Sequence, residues 1–360
     1  MRILIVSHPP LTVELGAAQL ALNLAAALRD RGHDAVAWSP APLPPDTRWW
    51  NLWRRQTQGI ERFAESHGPF DVVDTPAISA SRRLARCGRL VARSVQPELR
   101  YLWEDLRGDL ARRPSPRALA NAVLAAPRAA DVLGGWHRAS RILCMGTHEL
   151  EWMRRRFPRW SGKLRLYVCA LPPEEHEALA EVRRHRQGAL AGPGVRFLWI
   201  GRWSHQKGAR QLTAFLRERM AAHPEDTFTL AGCGPAAERH LPAAWLRAGR
   251  LRLIPQFPRA ALPDLLASHD AGLFTSKVEG WGLSLTEMLE SGLPVYATAA
   301  GAVADLRPYF PGSLRPFPPP AEIAPAGIAP ACPEDLRANG YYERFSWPAI
   351  ARSYEEQVLS

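Results

Sequence analysis

The chain has 360 residues, 46% of them hydrophobic and 22% charged, which is more than one core usually holds at close to the globular average. These values exclude a small disulfide scaffold, a disordered chain and a coiled coil, and they predict two domains. The net charge of +11 lies entirely in the first half: residues 1–171 carry 26 Lys+Arg against 15 Asp+Glu, and the remainder 20 against 20.

In chain order, the apolar run 3–6 predicts a strand, 8–16 a loop with Pro and Gly, 17–29 a helix and 35–38 a second strand. Fully apolar strands at this spacing indicate a parallel sheet covered on both faces. Further strands are predicted at 70–73, 90–92, 141–144 and 164–168. The pattern pauses at Leu171-Pro172-Pro173 and a charged segment, 174–186, then restarts at 196–200, 227–230, 251–254, 271–275 and 294–297. Two doubly wound α/β domains follow: an N-terminal one over 1–172 and a C-terminal one over 173–340. A last helical segment, 341–360, is placed so that it can cross back to the first domain. Residues 308–333 are rich in Pro and Ala and read as irregular and partly extended.

Five cysteines, Cys87, Cys144, Cys169, Cys233 and Cys332, are scattered without a Cys-x-x-Cys pair, so reduced thiols are expected rather than disulfides or structural zinc. The first apolar run is too short for a signal-peptide core, and no run of eighteen apolar residues occurs. A cytoplasmic chain is therefore expected, with any membrane contact peripheral. Trp49, Leu52, Trp53, Ile60 and Phe63 fall near helical spacing among Arg48, Arg54, Arg55 and Arg62. That pattern suits either a membrane-surface helix or the buried stripe of a helix packed on the sheet, and the second is favoured.

Four stretches carry chemistry. Gly16 opens a helix after a strand and loop. Gly201-Arg-Trp-Ser-His-Gln-Lys-Gly208 follows a strand and offers Arg202, a planar bidentate donor, and Lys207, a compact point charge, as partners for two phosphates. Gly232-Cys-Gly-Pro235 makes a tight turn after the next strand. The most specific stretch is 276–295, in which Gly280, Trp281 and Gly282 form a turn into a helix over 283–290. A helix start here, at Leu283 and Ser284, favours an anion such as a diphosphate. Glu279 before it and Glu287 one turn inside can accept from sugar hydroxyls on either side, as a nucleotide sugar requires. The bland alternative makes Glu287 and Glu290 an ordinary solvated helix face.

In order and spacing, these segments resemble the family 4 retaining glycosyltransferases of GT-B fold, whose signature is Glu-x7-Glu. Glu279 and Glu287 match it, with Ser276, Gly280, Gly282, Gly292, Pro294 and Val295 around them. The 201–208 and 232–235 segments resemble the family's diphosphate-binding and glycine-proline turns, and Leu28 to His33 with Pro9-Pro10 and Gly16 its N-terminal stretch. The sequence departs from the family pattern at Leu15-Gly16, at Gln19 and at Val95, which follows Arg93-Ser94 where many members carry a histidine. Gln96 or Glu98 is available to replace that histidine's contact with the sugar.

The resemblance implies two Rossmann-like domains facing across a cleft and transfer with retention from a nucleotide-diphosphate sugar to a glycan, lipid-linked or small-molecule acceptor, in cell-envelope polysaccharide synthesis. Catalysis would fall to Arg202, Lys207 and Glu279. Donor binding would fall to Gly16, Gly201, Gly232, Gly234, Gly280, Trp281, Gly282, Leu283, Ser284 and Glu287. No Asp-x-Asp occurs, so no metal or other cofactor is expected and the protein itself would neutralise the leaving group. His8, His137 and His148 are candidates for a base by location only. Two other readings stay open: a catalytically silent GT-B-like partner subunit, against which the retained cations and acids argue, and a basic nucleic-acid-binding protein, for which no module is found.

Overall fold

The computed structural model describes residues 1–110, 115–186, 192–323, 328 and 336–359. Two compact units divide the chain. The first comprises Met1–Cys169 and the returning segment Arg344–Ser360, the second Ala170–Glu343. The returning segment contains two Arg and two Glu, so the excess positive charge remains with the first unit.

The first unit is built on a parallel sheet of β1 (Arg2–Val6), β2 (Asp34–Trp38), β3 (Val72–Thr75), β4 (Arg89–Arg93), β5 (Arg141–Met145) and β6 (Leu164–Tyr167), in the order β2-β1-β3-β4-β5-β6. Ile3, Leu4, Ile5 and Val6 are wholly buried, because helices cover both faces of a central parallel strand. The helix Leu52–His67 buries Trp53, Ile60 and Ala64 and stacks Phe63 between Trp38 and His67, at ring separations of 4.3 and 4.2 Å. Of the predicted stripe, Trp53 and Ile60 are core, Trp49 and Phe63 are half-buried, and Leu52 is exposed, as is Trp50 beside it, so the buried-stripe reading holds only in part. Two helices, Glu98–Leu110 and Pro116–Arg138, occupy a stretch where the sequence offers only short apolar runs.

The returning segment forms the helix Trp347–Tyr354, whose buried Trp347, Ile350, Ala351 and Tyr354 recur at helical spacing. Several contacts fasten it to the unit, among them two through side-chain carboxylates. Arg31 grips Glu355 with both arms of its guanidinium, at 2.7 and 2.6 Å. The Tyr354 hydroxyl donates to Asp74 Oδ2 at 3.0 Å, in a site where Asp74 also accepts from Arg93 Nε at 2.7 Å. Asp74 and Arg93 are both 0% exposed.

The second unit holds a parallel sheet of β7 (Arg196–Ile200), β8 (Thr227–Ala231), β9 (Leu251–Ile254), β10 (Ala271–Phe274), β11 (Val295–Ala297) and β12 (Leu314–Pro316), in the order β12-β11-β10-β7-β8-β9. Phe197, Phe215 and Phe228 form its aromatic centre, Phe197 and Phe228 stacked at 5.1 Å. β12 refines the expectation that 308–333 is irregular and partly extended: Leu314 to Pro316 pair in parallel with β11 as an edge strand. Pro316 is tolerated because an edge has one side without ladder bonds. Within the Pro-rich stretch, residues 324–327 and 329–333 lie outside the described residues. Cys87, Cys144, Cys169 and Cys233 are free thiols.

Candidate active site

In the second unit the strand order reverses between β7 and β10. The chain winds from β7 outward through β8 and β9, and from β10 outward through β11 and β12. The loops leaving the carboxyl ends of two such strands diverge and open a crevice, the usual ligand site of a doubly wound sheet. Here these loops are 201–208 and 275–282. Their backbones are tied where Lys277 N donates to Gln206 O at 2.8 Å, and from the end of β7 the Trp199 indole Nε1 donates to Thr275 Oγ1 at 3.0 Å. Thr275 Oγ1 in turn donates to Lys207 O at 2.8 Å. The approach is close enough to require glycine at 208. Its φ is +73°, and a Cβ there would stand 1.8 Å from Thr275 O.

This junction brings Lys207 and Glu279 together as an ion pair, and Glu279 Oε2 also accepts from Ser276 Oγ at 3.0 Å. Arg202 is exposed, and among the described residues it makes no hydrogen bond or ion pair. The third loop joins the same edge, since Gly201 N donates to Ala231 O at 2.9 Å and Trp203 N to Cys233 O at 3.1 Å. Gly232 and Gly234 have φ of +68° and +74° in that turn. Gly280 is buried behind the loop. Gly282, at φ +90°, starts the helix Leu283–Glu290. The Leu285 and Thr286 amides bond back to Gly282 O, leaving the Leu283 and Ser284 N–H groups outside the intrahelical ladder and available to an anion. Gly16 belongs to the first unit, where it is exposed at the start of the helix Gly16–Asp30.

The turn residue Trp281 is enclosed, and the solvated-face reading of Glu287 and Glu290 needs correction. Trp281 is buried, its indole donates to Thr286 Oγ1 at 3.1 Å, and its carbonyl accepts from Ala302 N at 2.9 Å. It wedges the turn in place. Glu287 is not the solvated helix-face residue of the bland reading. It is 2% exposed, and its Oε1 accepts from Arg259 Nη1 at 2.8 Å. Arg259 also donates to Glu175 Oε1 from Nε at 3.1 Å, and through Nη2 to Oε2. Burial pushes the Glu287 carboxyl upward and the Arg259 guanidinium opposes that shift. Glu290, the other acid of the bland reading, is fully buried and accepts from Tyr341 Oη at 2.7 Å, with His176 Nδ1 at 2.6 Å.

Sequence reasoning missed Arg259, Glu175 and the contact between Lys277 Nζ and His205 Nε2 at 3.2 Å. Two of the chain's three lysines lie in the two tied loops, and that was the available signal.

The first unit holds its own perturbed groups. Burial raises Glu98 to about 8 and Glu149 to about 7. Glu149 accepts from Ser94 Oγ at 2.9 Å and from Met145 N at 2.7 Å. Burial, with Arg93 adding to it, lowers His8 to about 4, and its Nε2 lies 2.9 Å from Ser79 Oγ. Carboxyls raised in the fold contribute stability that is full below their ordinary 4.5 and is lost as pH rises through about 7 and 8. His8 acts in the opposite window, costing stability as pH falls from 6.5 toward about 4. Between about pH 6.5 and 8.5 only the carboxyls act, and the thermal midpoint is expected to fall by several degrees, at about 2–4 °C per kcal/mol for a unit of this size. Calorimetry across that range checks it. Glu98→Gln with Glu149→Gln should flatten the profile, and a wild-type midpoint that does not move refutes it.

Among the described residues no group of three or more His, Cys, Asp or Glu is placed to hold a metal ion. No helix among them is long and apolar enough to cross a membrane.

Residues 194–323 match a family model described as glycosyl transferases group 1. The chain is 25% identical over 353 residues to a glycogen synthase of Mycobacterium tuberculosis, covering 85% of this chain and 80% of that one. Among solved structures it is similar to sucrose-phosphate synthase from Thermosynechococcus elongatus, with a TM-score of 0.70 and 17% identity over 99% of this chain and 97% of that one. It is also similar to Anabaena HepE in complex with UDP and glucose, with a TM-score of 0.59 and 17% identity over the whole of both chains. The two parallel six-stranded sheets and their helices are the GT-B fold of these structures.

Proposed function

We propose that this GT-B glycosyltransferase is a retaining, metal-independent enzyme of the family 4 type that transfers a sugar from a nucleotide-diphosphate donor to a glycan, lipid-linked or small-molecule acceptor in polysaccharide synthesis, including that of the cell envelope. The observation that carries this reading is the joining of Arg202, Lys207, Glu279 and the free amides of Leu283 and Ser284 at the switch point of one sheet. Cations and amides in that arrangement hold a diphosphate and stabilise the charge that develops as it leaves, commonly the largest catalytic contribution. Glu279, held by Ser276 and Lys207, presents a carboxylate to the hydroxyls of the sugar. The match of residues 194–323 to the glycosyl transferases group 1 model supports the reading, as does a structural relative that holds UDP and glucose. With protein cations facing the leaving group, no metal is needed for that charge.

Thermal stabilisation by nucleoside diphosphates, followed by turnover of the matching nucleotide sugars, tests the proposal. Stabilisation by at least one diphosphate is expected, and activity is expected to survive EDTA. Loss of activity in chelator that magnesium or manganese restores would overturn metal independence.

The acceptor is assigned to the first unit, which carries the whole positive excess. Reversible contact with an anionic membrane surface is part of the proposal, each nearby Arg contributing on the order of 1 kcal/mol and screened by salt. Vesicles with anionic lipid should sediment the protein at low salt and release it at high salt. Equal binding to neutral vesicles, or none at low salt, would leave a soluble or glycan acceptor.

A further inference from the structure

We propose that Lys277, a residue outside both the Glu-x7-Glu pair and the 201–208 cations, binds the donor's diphosphate and supplies its second positive charge. The proposal rests on the nucleotide-sugar reading above and deepens it.

The first argument is what Lys207 is doing. Its ammonium is paired with Glu279, so its charge is largely cancelled where it stands. Of the cations on the 201–208 loop, Arg202 alone is left without a carboxylate partner among the described residues. One guanidinium is a poor match for two ionised phosphates.

The second argument is where Lys277 reaches. It lies two residues before Glu279, and its own N–H is bound to Gln206 O at 2.8 Å, so its backbone is anchored against the facing loop. Its ammonium crosses to that loop and donates to His205 Nε2 at 3.2 Å. Lys277 is half-buried, and among the described residues no carboxylate pairs with it. A partly desolvated ammonium whose contact here is an imidazole nitrogen gains when an anion arrives. His205 acts as a positioning residue that holds the ammonium between the two loops.

Composition and charge agree. Of 46 basic residues 43 are Arg, yet both of these loops carry a lysine. A compact head with three rotatable donors suits the space where two loops close on one another better than a planar guanidinium fork does. Arg202, Lys207 and Lys277 set against Glu279 leave two net positive charges, matching the two ionised phosphates of a sugar nucleotide.

Calorimetric titration of the full chain with UDP, ADP and GDP and the matching monophosphates tests this. Wild type is expected to bind at least one diphosphate. In Lys277→Gln that diphosphate should bind about tenfold more weakly, the scale of one charged hydrogen bond. The monophosphate should change by less than about threefold, because the lost partner is the second phosphate. Lys277→Arg should recover part of the loss, and raising the salt should shrink the difference between wild type and Lys277→Gln. Unchanged diphosphate binding in a folded Lys277→Gln overturns the proposal. So does an equal loss for monophosphate and diphosphate, which would mark a structural role. If wild type binds none of the diphosphates, the nucleotide-sugar reading fails first and this inference falls with it.

Discussion

Replacing Arg202 or Glu279 by Ala is expected to lower sugar transfer by at least ~100-fold, the lower end for a lost charge-stabilising group, while leaving the fold intact. Arg202 is exposed and makes no hydrogen bond or ion pair among the described residues, so its removal costs the apo protein little. Its loss should appear in turnover with the nucleotide sugar and in weaker diphosphate binding. Glu279 is half-buried, and its removal frees Lys207 and the Ser276 hydroxyl. The loss should therefore be larger in turnover than in diphosphate affinity, since Lys207 becomes available to the phosphates as the sugar contact disappears. Steady-state kinetics on variants with unchanged thermal midpoints checks both. Near-normal turnover in both folded variants would remove the catalytic assignment.

The second large effect concerns folding. Arg93→Met leaves the Asp74 carboxylate wholly buried without its guanidinium, and breaking a buried pair in this way costs about 3–5 kcal/mol. That corresponds to a fall in thermal midpoint on the order of 10 °C for the first unit. The damage should reach the end of the chain, because Tyr354 on the returning helix donates to the same carboxylate. Limited proteolysis should then release the segment beyond Arg344 more readily than in wild type. The double variant Arg93→Met with Asp74→Leu removes both charges and should recover much of the loss. A single variant as stable as wild type, or a double variant worse than the single, would show that the pair does not hold this site.

Several features were legible from local pattern. The strands of both sheets betray themselves as continuous apolar runs, since a parallel strand buried on two faces has no polar positions to alternate with. Gly282 and Gly208 mark turns because their backbones demand positive φ. The returning helix shows its stripe in Trp347, Ile350, Ala351 and Tyr354. β12 was hidden because three residues ending in Pro carry no strand periodicity, and only the neighbouring β11 makes them one.

The sequence by itself determined which residue types stand at each strand end: Arg202 and Lys207 after β7, the glycines after β8, and Glu279 before the helix Leu283–Glu290. Those depend on neighbours in the chain, and spacing along the chain reports them. Tertiary structure alone decided which of the charges remain available to a ligand. Glu287 pairs with Arg259, 28 residues away, and Lys207 with Glu279, 72 residues away, while Lys277 reaches His205 across the same junction. A charge is cancelled or left open by whatever the fold sets within a few ångströms of it, and separation along the chain carries no record of that distance.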